Sequence, residues 1–146
     1  MPTKAPTTTV SPARVLARLS RLVDNAIGDD LSLSQYRLLA FLSQGDRAAS
    51  ALAEWLNVSR PSITGLVDGL VKRGLVERRP AIDDRRRIDH VLTAAGATAL
   101  HDADARADER LRELLATLPD DVAIDAHAVL CRLHVAMDAR LQEKLR

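Results

Sequence analysis

Between Gly45 and Thr93 the sequence changes its apolar period in a fixed order. A short apolar helix gives way to a tight break at Asn57-Val58, and Ser59 opens a second helix. Gly74 stops that helix, and two β-type runs follow on either side of an Arg/Asp-rich loop. Helical spacing on both sides of a tight break, then alternation, predicts helix, turn, helix and a two-stranded wing. In the second helix Ile63, Val67 and Leu70 fall at i, i+4 and i+7, which predicts a buried face. Ser59, Arg60, Pro61, Ser62, Thr64, Gly65 and Asp68 cover its N-terminal and outward sides, and Lys72 lies in its last turn. Small hydroxyl residues with an Arg in the first turn suit a helix laid in a DNA major groove, its N-terminus at base edges and its hydroxyls at phosphates. The plainer alternative is that Ser59 is an N-cap and the rest a solvated face. The adjoining wing, with Arg85, Arg86 and Arg87 in one run, favours the nucleic-acid reading.

Around this centre the chain reads as helices. Val15/Leu16, Leu19, Leu22/Val23 and Ile27 predict an amphipathic helix from Pro12 to Ile27, after a Thr/Pro/Ala-rich stretch, residues 1–10, expected to be a disordered tail. Ser32 with Gln35 reads as a capping box for a second helix, expected to run to Gln44 with Tyr36, Leu39, Ala40 and Leu42 or Ser43 buried and Gly45 as its stop. A third helix is expected from Ser50 to Leu56, and the recognition-type helix ends at Lys72-Arg73-Gly74. Strands are expected at Leu75–Arg79 and Arg87–Leu92, with Ile88, His90 and Leu92 on one face. Thr93 caps a helix to Leu118, where Leu100, Ala107 and Leu114 recur every seven residues. A final helix is expected from Val122 to Lys144, capped by Asp120, with Ala126, Val129/Leu130, Leu133, Met137 and Leu141 inward.

Hydrophobic residues make up 47% of the 146 but aromatics only 2%, so the core must be built from Leu, Val and Ala, which favours closely packed helices. No apolar run approaches the roughly 18 residues that span a bilayer, and the N-terminus lacks a signal-peptide apolar region. A single cysteine excludes an internal disulfide framework, so a cytoplasmic protein is expected. Net charge is only +1, but residues 59–90 carry eight Lys and Arg against five acids, and residues 91–146 seven against ten. The positive excess therefore coincides with the helix-turn-helix and wing, as a phosphate-neutralising footprint would.

The expected fold is mainly α with a small β-wing. Residues 32–93 form a winged helix-turn-helix, and residues 11–31 and 94–146 a helical dimerisation region. Three long helices exceed what a small winged domain can cover, so a homodimer is expected. No Gly-rich phosphate loop follows a strand and no Ser/His/Asp set converges, so an enzyme is not expected, nor a cofactor. A winged-helix module that only contacts proteins would be expected to have lost its wing arginines. On the last helix His127, Cys131, His134 and Asp138 lie at i, i+4, i+7 and i+11. These are metal-ligand types, but one straight row cannot surround a tetrahedral ion, so a packing face is expected rather than a metal or redox switch.

The ordered set Leu52-Ala53, Val58-Ser59, Leu66-Val67-Asp68-Gly69-Leu70, Gly74-Leu75-Val76, Asp84-Arg85-Arg86 and Leu92-Thr93-Ala94-Ala95-Gly96 resembles the MarR family of bacterial winged-helix regulators, over about residues 12 to 145. The resemblance implies an obligate homodimer that binds a double-stranded DNA operator, acting as a repressor released by a small anionic or aromatic effector. It implies that Arg86 reaches a minor groove or its phosphates, that Asp84 orients the wing loop or that Arg by an ion pair, and that Arg60, Ser62 and Thr64 face the major groove. Cleft candidates for the effector are Arg14, Arg18, Tyr36 and Trp55. Departures are Ala49 where a Ser/Thr cap is usual, Gly65 where a longer polar side chain is common, and the outward carboxylate of Asp68.

Overall fold

The computed structural model describes residues 10–144; residues 1–9 of the expected tail lie outside the described residues. The elements are α1 (Pro12–Ile27), α2 (Leu33–Leu42), β1 (Arg47–Ala48), α3 (Ala49–Leu56), α4 (Arg60–Lys72), β2 (Val76–Pro80), β3 (Ile88–Leu92), α5 (Ala94–Leu115) and α6 (Asp120–Lys144).

The capping box forms as the sequence predicts. The Gln35 N–H donates to Ser32 Oγ at 3.2 Å, and the Ser32 N–H donates to Gln35 Oε1 at 3.0 Å. The helix it opens stops at Leu42 rather than Gln44. Ser43 is its C-cap and Gly45, at φ 139°, follows the helix instead of closing it. α2 is the hub of the winged domain, touching α1, α3, α4, α5 and β3. Covered on several sides, it buries Leu38, Leu39, Phe41 and Leu42, while Tyr36 and Ala40 are half-buried and Ser43 is exposed.

The wing is part of a three-stranded antiparallel sheet in the order β1-β3-β2, not a two-stranded ribbon. Arg47 pairs with His90 and Ala48 with Asp89; β2 and β3 pair from Val76↔Leu92 to Pro80↔Ile88. α3 starts at Ala49, without a side-chain cap from Ala48. Its entry is held by the β1 ladder instead. His90, on the central strand, is buried at 4% exposure, and its Nδ1–H donates to the Arg47 carbonyl at 3.1 Å. An acceptor carbonyl requires the proton on Nδ1, which fixes the neutral tautomer.

The start of α5 is pressed onto the corner between α4 and β2. Gly74 turns that corner at φ +72°. Thr93 donates its hydroxyl to the Gly74 carbonyl at 2.7 Å and its N–H to Leu75 O at 3.2 Å, and its Oγ1 accepts from the Gly96 N–H at 3.0 Å. A Cβ on Gly96 would lie 2.0 Å from Leu75 O, so only glycine lets the helix come this close. Farther along, Leu100, Ala103 and Ala107 join the core. Tyr36 OH donates to Asp104 Oδ1 at 2.7 Å, and Arg106 to the Ile27 carbonyl at 2.8 Å, tying α5 to α2 and α1.

The outer parts of the arm depart from expectation. α5 ends at Leu115, and α6 begins at Asp120, which is its first residue rather than its cap. The Ala123 N–H already donates to Pro119 O at 2.9 Å. Of the apolar row expected to face inward on α6, Ala126 and Leu130 are half-buried, but Val129, Leu133 and Met137 are 53%, 47% and 69% exposed. The Leu141 side chain lies outside the described residues. Val15 and Leu16 on α1 and Leu114 on α5 are exposed as well. Among the described residues no helix is long and apolar enough to cross a membrane.

Candidate nucleic-acid interface

The turn before α4 is made by Asn57 in the left-handed region (φ 53°, ψ 49°), with the Val58 N–H donating to Ala53 O at 3.0 Å. Asn tolerates this conformation better than other side chains do. Ser59 then caps α4, its Oγ accepting from the Ser62 N–H at 3.3 Å, and a proline occupies the first turn. Ile63, Val67 and Leu70 are at most 1% exposed and fix the helix's rotation. Ser59, Arg60, Pro61, Ser62, Thr64, Gly65, Asp68 and Lys72 are all exposed. The outward set read from the sequence therefore forms one surface. Its hydroxyls are partly engaged: Ser59 and Ser62 share a hydrogen bond at 2.8 Å, and Thr64 Oγ1 donates to Arg60 O at 3.0 Å. Each oxygen keeps lone-pair capacity for an incoming donor. Asp68 pairs with Arg78 on β2, so the carboxylate that the sequence left unexplained is neutralised by the wing's own strand.

The wing loop is tied down from within. The Ala81 N–H donates to Arg87 O at 2.8 Å and the Arg87 N–H to Asp84 O at 2.9 Å. Asp84 Oδ1 accepts from the Arg86 backbone N–H at 3.0 Å. Asp84 thus orients the loop through the backbone; the expected ion pair with the Arg86 guanidinium is not formed. Arg87 also differs from its neighbours. Its Nη2 reaches Asp83 Oδ1 at 2.8 Å and its Nε reaches Asp89 Oδ1 at 3.2 Å, so it clasps the loop to the base of β3.

These pairings sort the eight cations between residues 59 and 90. Arg78, Arg79 and Arg87 are bound to Asp68, Glu77 and the Asp83/Asp89 pair. Arg60, Lys72, Arg73, Arg85 and Arg86 have no ion-pair partner among the described residues and remain exposed. Arg73 instead lines a small cavity with Asp30, Leu31, Ala99, Asp102 and Arg106, on the side of α5.

The cleft candidates do not converge. Arg14 is exposed on α1. Arg18, with Arg21, Arg106 and Arg110, lines a groove of about 850 Å³ between α1 and α5. Tyr36 is taken up by Asp104, and burial followed by that hydrogen bond raises its pKa. Trp55 stacks on Phe41, ring centroids 4.7 Å apart, with the Arg37 guanidinium 5.3 Å above it. The stripe on α6 resolves into two neighbouring pairs, His127 with Cys131 at 3.7 Å and His134 with Asp138 at 3.4 Å. Among the described residues no three such side chains come together.

An exposed recognition-type helix, a tied wing and a helical arm define a winged helix-turn-helix protein. A model of the MarR family matches residues 29–87. The chain is 36% identical over 76 residues to the transcriptional repressor YetL of Bacillus subtilis, covering 50% of this chain and 46% of that protein. It is 34% identical over 77 residues to the transcriptional regulator FarR of Neisseria gonorrhoeae, covering 52% and 53%. The chain spans about half the length of the curated relatives it matches. The crystal structure of a probable transcriptional regulator from Pseudomonas aeruginosa superposes with TM-score 0.63 at 31% identity, covering 83% of this chain and 92% of that one. Wild-type MarR from E. coli shares the fold, with TM-score 0.73 at 22% identity over 85% and 96% of the two chains. Residues 29–87 thus match the MarR family, and the described chain has the fold of its solved structures.

Proposed function

We propose that the protein is a homodimeric, sequence-specific DNA-binding transcriptional regulator, a repressor released by a small-molecule effector. The observation that carries this is the sorting of charge. Four cations, Arg60, Lys72, Arg85 and Arg86, stand exposed on α4 and the wing with no ion-pair partner among the described residues, while nearby acids are neutralised by Arg78, Arg79 and Arg87. In this reading Arg60, Ser62 and Thr64 meet base edges. Ser59, Lys72 and Arg85 meet phosphate, Arg86 reaches the minor groove, and Pro61 and Gly65 admit close approach. Asp68 and Arg87 act by position: one steadies Arg78, the other the wing.

Dimerisation through residues 11–31 and 94–146 is supported by where uncovered apolar side chains lie. Val15, Leu16, Leu114, Leu118, Val129, Leu133 and Met137 all belong to the arm. The repressor assignment follows the name of YetL. For an effector, the α1–α5 groove offers Arg18 and Arg21, which have no ion-pair partner among the described residues. An anion held there would release DNA only if it favoured one of two arm arrangements.

Selection of duplexes from a random-sequence pool tests the reading. The expected product is a pseudo-palindrome with half-sites about one helical turn apart, because two-fold symmetry presents two copies of α4. A pool that yields no enriched duplex, with retention indifferent to salt, refutes it. Titrating aromatic carboxylates against the selected duplex tests the effector; a panel that leaves affinity unchanged rejects that class.

A further inference from the structure

At the wing tip stands an apolar side chain with no protein neighbour to bury it: Ile82, 104% exposed. Its backbone is nevertheless fixed. Ala81 before it is buried at 3% exposure, with its N–H bonded to Arg87 O, and Asp83 after it is gripped by the Arg87 guanidinium at 2.8 Å. Ile82 therefore sits between two anchored residues. Outside the arm the other exposed large apolar residues among those described, Val10 at 46%, Val58 at 38% and Ile88 at 44%, keep more than half of their surface covered. The same short loop carries Arg85 and Arg86, both exposed and without an ion-pair partner among the described residues. Cations and one apolar side chain presented on a fixed loop match a DNA minor groove. Its floor attracts guanidinium groups, and apolar side chains are used there as wedges and wall contacts.

We propose that Ile82 is the wing's apolar contact with the deoxyribose walls of the minor groove, entering beside Arg86. This deepens the DNA-binding reading above and rests on it. An apolar contact displaces no counterion, so its energetic signature differs from that of an arginine. The test uses the full chain and a duplex recovered by the wild-type protein from a random-sequence pool, with affinity measured across a salt series. Ile82→Ala is expected to weaken binding about three- to tenfold, the loss of part of an isoleucine's burial, with the salt slope unchanged. Arg86→Ala should flatten that slope by about one unit per wing, and Ile82→Val should retain most of the affinity. The thermal midpoint of Ile82→Ala should equal that of the parent, since the side chain is fully exposed in the fold. Wild-type affinity in Ile82→Ala overturns the proposal. So does a change in sedimentation behaviour, which would assign Ile82 to a contact between copies. A wild-type protein that enriches no duplex refutes the DNA-binding reading and this inference together.

Discussion

At the scale of single residues, neighbouring arginines in the wing divide between two jobs. Arg86 is free, so Arg86→Ala should weaken binding to all duplexes alike. Arg87 clasps Asp83 and Asp89, so Arg87→Ala should act through order. Amide exchange over residues 81–87 is expected to accelerate in Arg87→Ala and stay unchanged in Arg86→Ala; equal exchange in both variants would contradict the division. His90 adds a pH dependence. Burial, with a smaller contribution from Arg78, lowers its pKa from the ordinary 6.5, opposed by the Arg47 carbonyl and the carboxylates of Asp89 and Asp68. The folded sheet thus resists a proton that the unfolded chain accepts. His90's contribution is complete above about pH 6.5 and is lost progressively as pH falls from there through its lowered folded pKa. Urea melts at descending pH should show wild-type stability falling relative to His90→Gln. The other histidines, His101, His127 and His134, are exposed. A stability difference between the two proteins that is constant with pH would contradict the assignment.

At the scale of elements, the docking of α5 on β2 depends on one missing methyl group. Alanine normally adds about 1 kcal/mol to a helix relative to glycine. At Gly96 the new Cβ would meet Leu75 O at 2.0 Å and Leu92 Cδ1 at 2.7 Å, and that carbonyl is held by the Thr93 N–H. Overpacking of this kind costs typically about 1–3 kcal/mol, so Gly96→Ala should lower the thermal midpoint. Gly69→Ala is the control, because its Cβ would find only Gln35 Nε2 at 3.8 Å. That variant should be neutral or stabilising. Equal midpoints for the two variants would show that the corner yields.

At the scale of the molecule, α6 is a 25-residue helix whose apolar row is largely open to solvent in a single chain. Two changes probe what covers it. Leu133→Glu places a charge on a side chain already 47% exposed, so the fold of one chain should survive while self-association and operator affinity fall. Ending the chain at Asp121 should leave a protein that aggregates, or sediments as a monomer without binding a two-fold duplex. A dimer of unchanged affinity in either variant would place the interface elsewhere.

Much of this was legible along the chain because period and caps are local properties. The spacing of Ile63, Val67 and Leu70 fixed which side of α4 is outward, and Ser32, Ser59 and Thr93 marked where helices begin. What stayed hidden depends on partners distant in sequence or on choices among like residues. β1 is two residues long, too short to show alternation, and exists because His90 is there to pair with Arg47. α2 buries Leu38 and Phe41 beyond a single stripe because several elements close around it. Arg85, Arg86 and Arg87 are the same letter three times, with Asp83, Asp84 and Asp89 within reach of any of them. Only the path of the loop decides which guanidinium meets a carboxylate and which is left free. The apolar period of α6 was plain in the sequence, but period states that a face wants cover, and the tertiary structure decides that its own chain does not provide it.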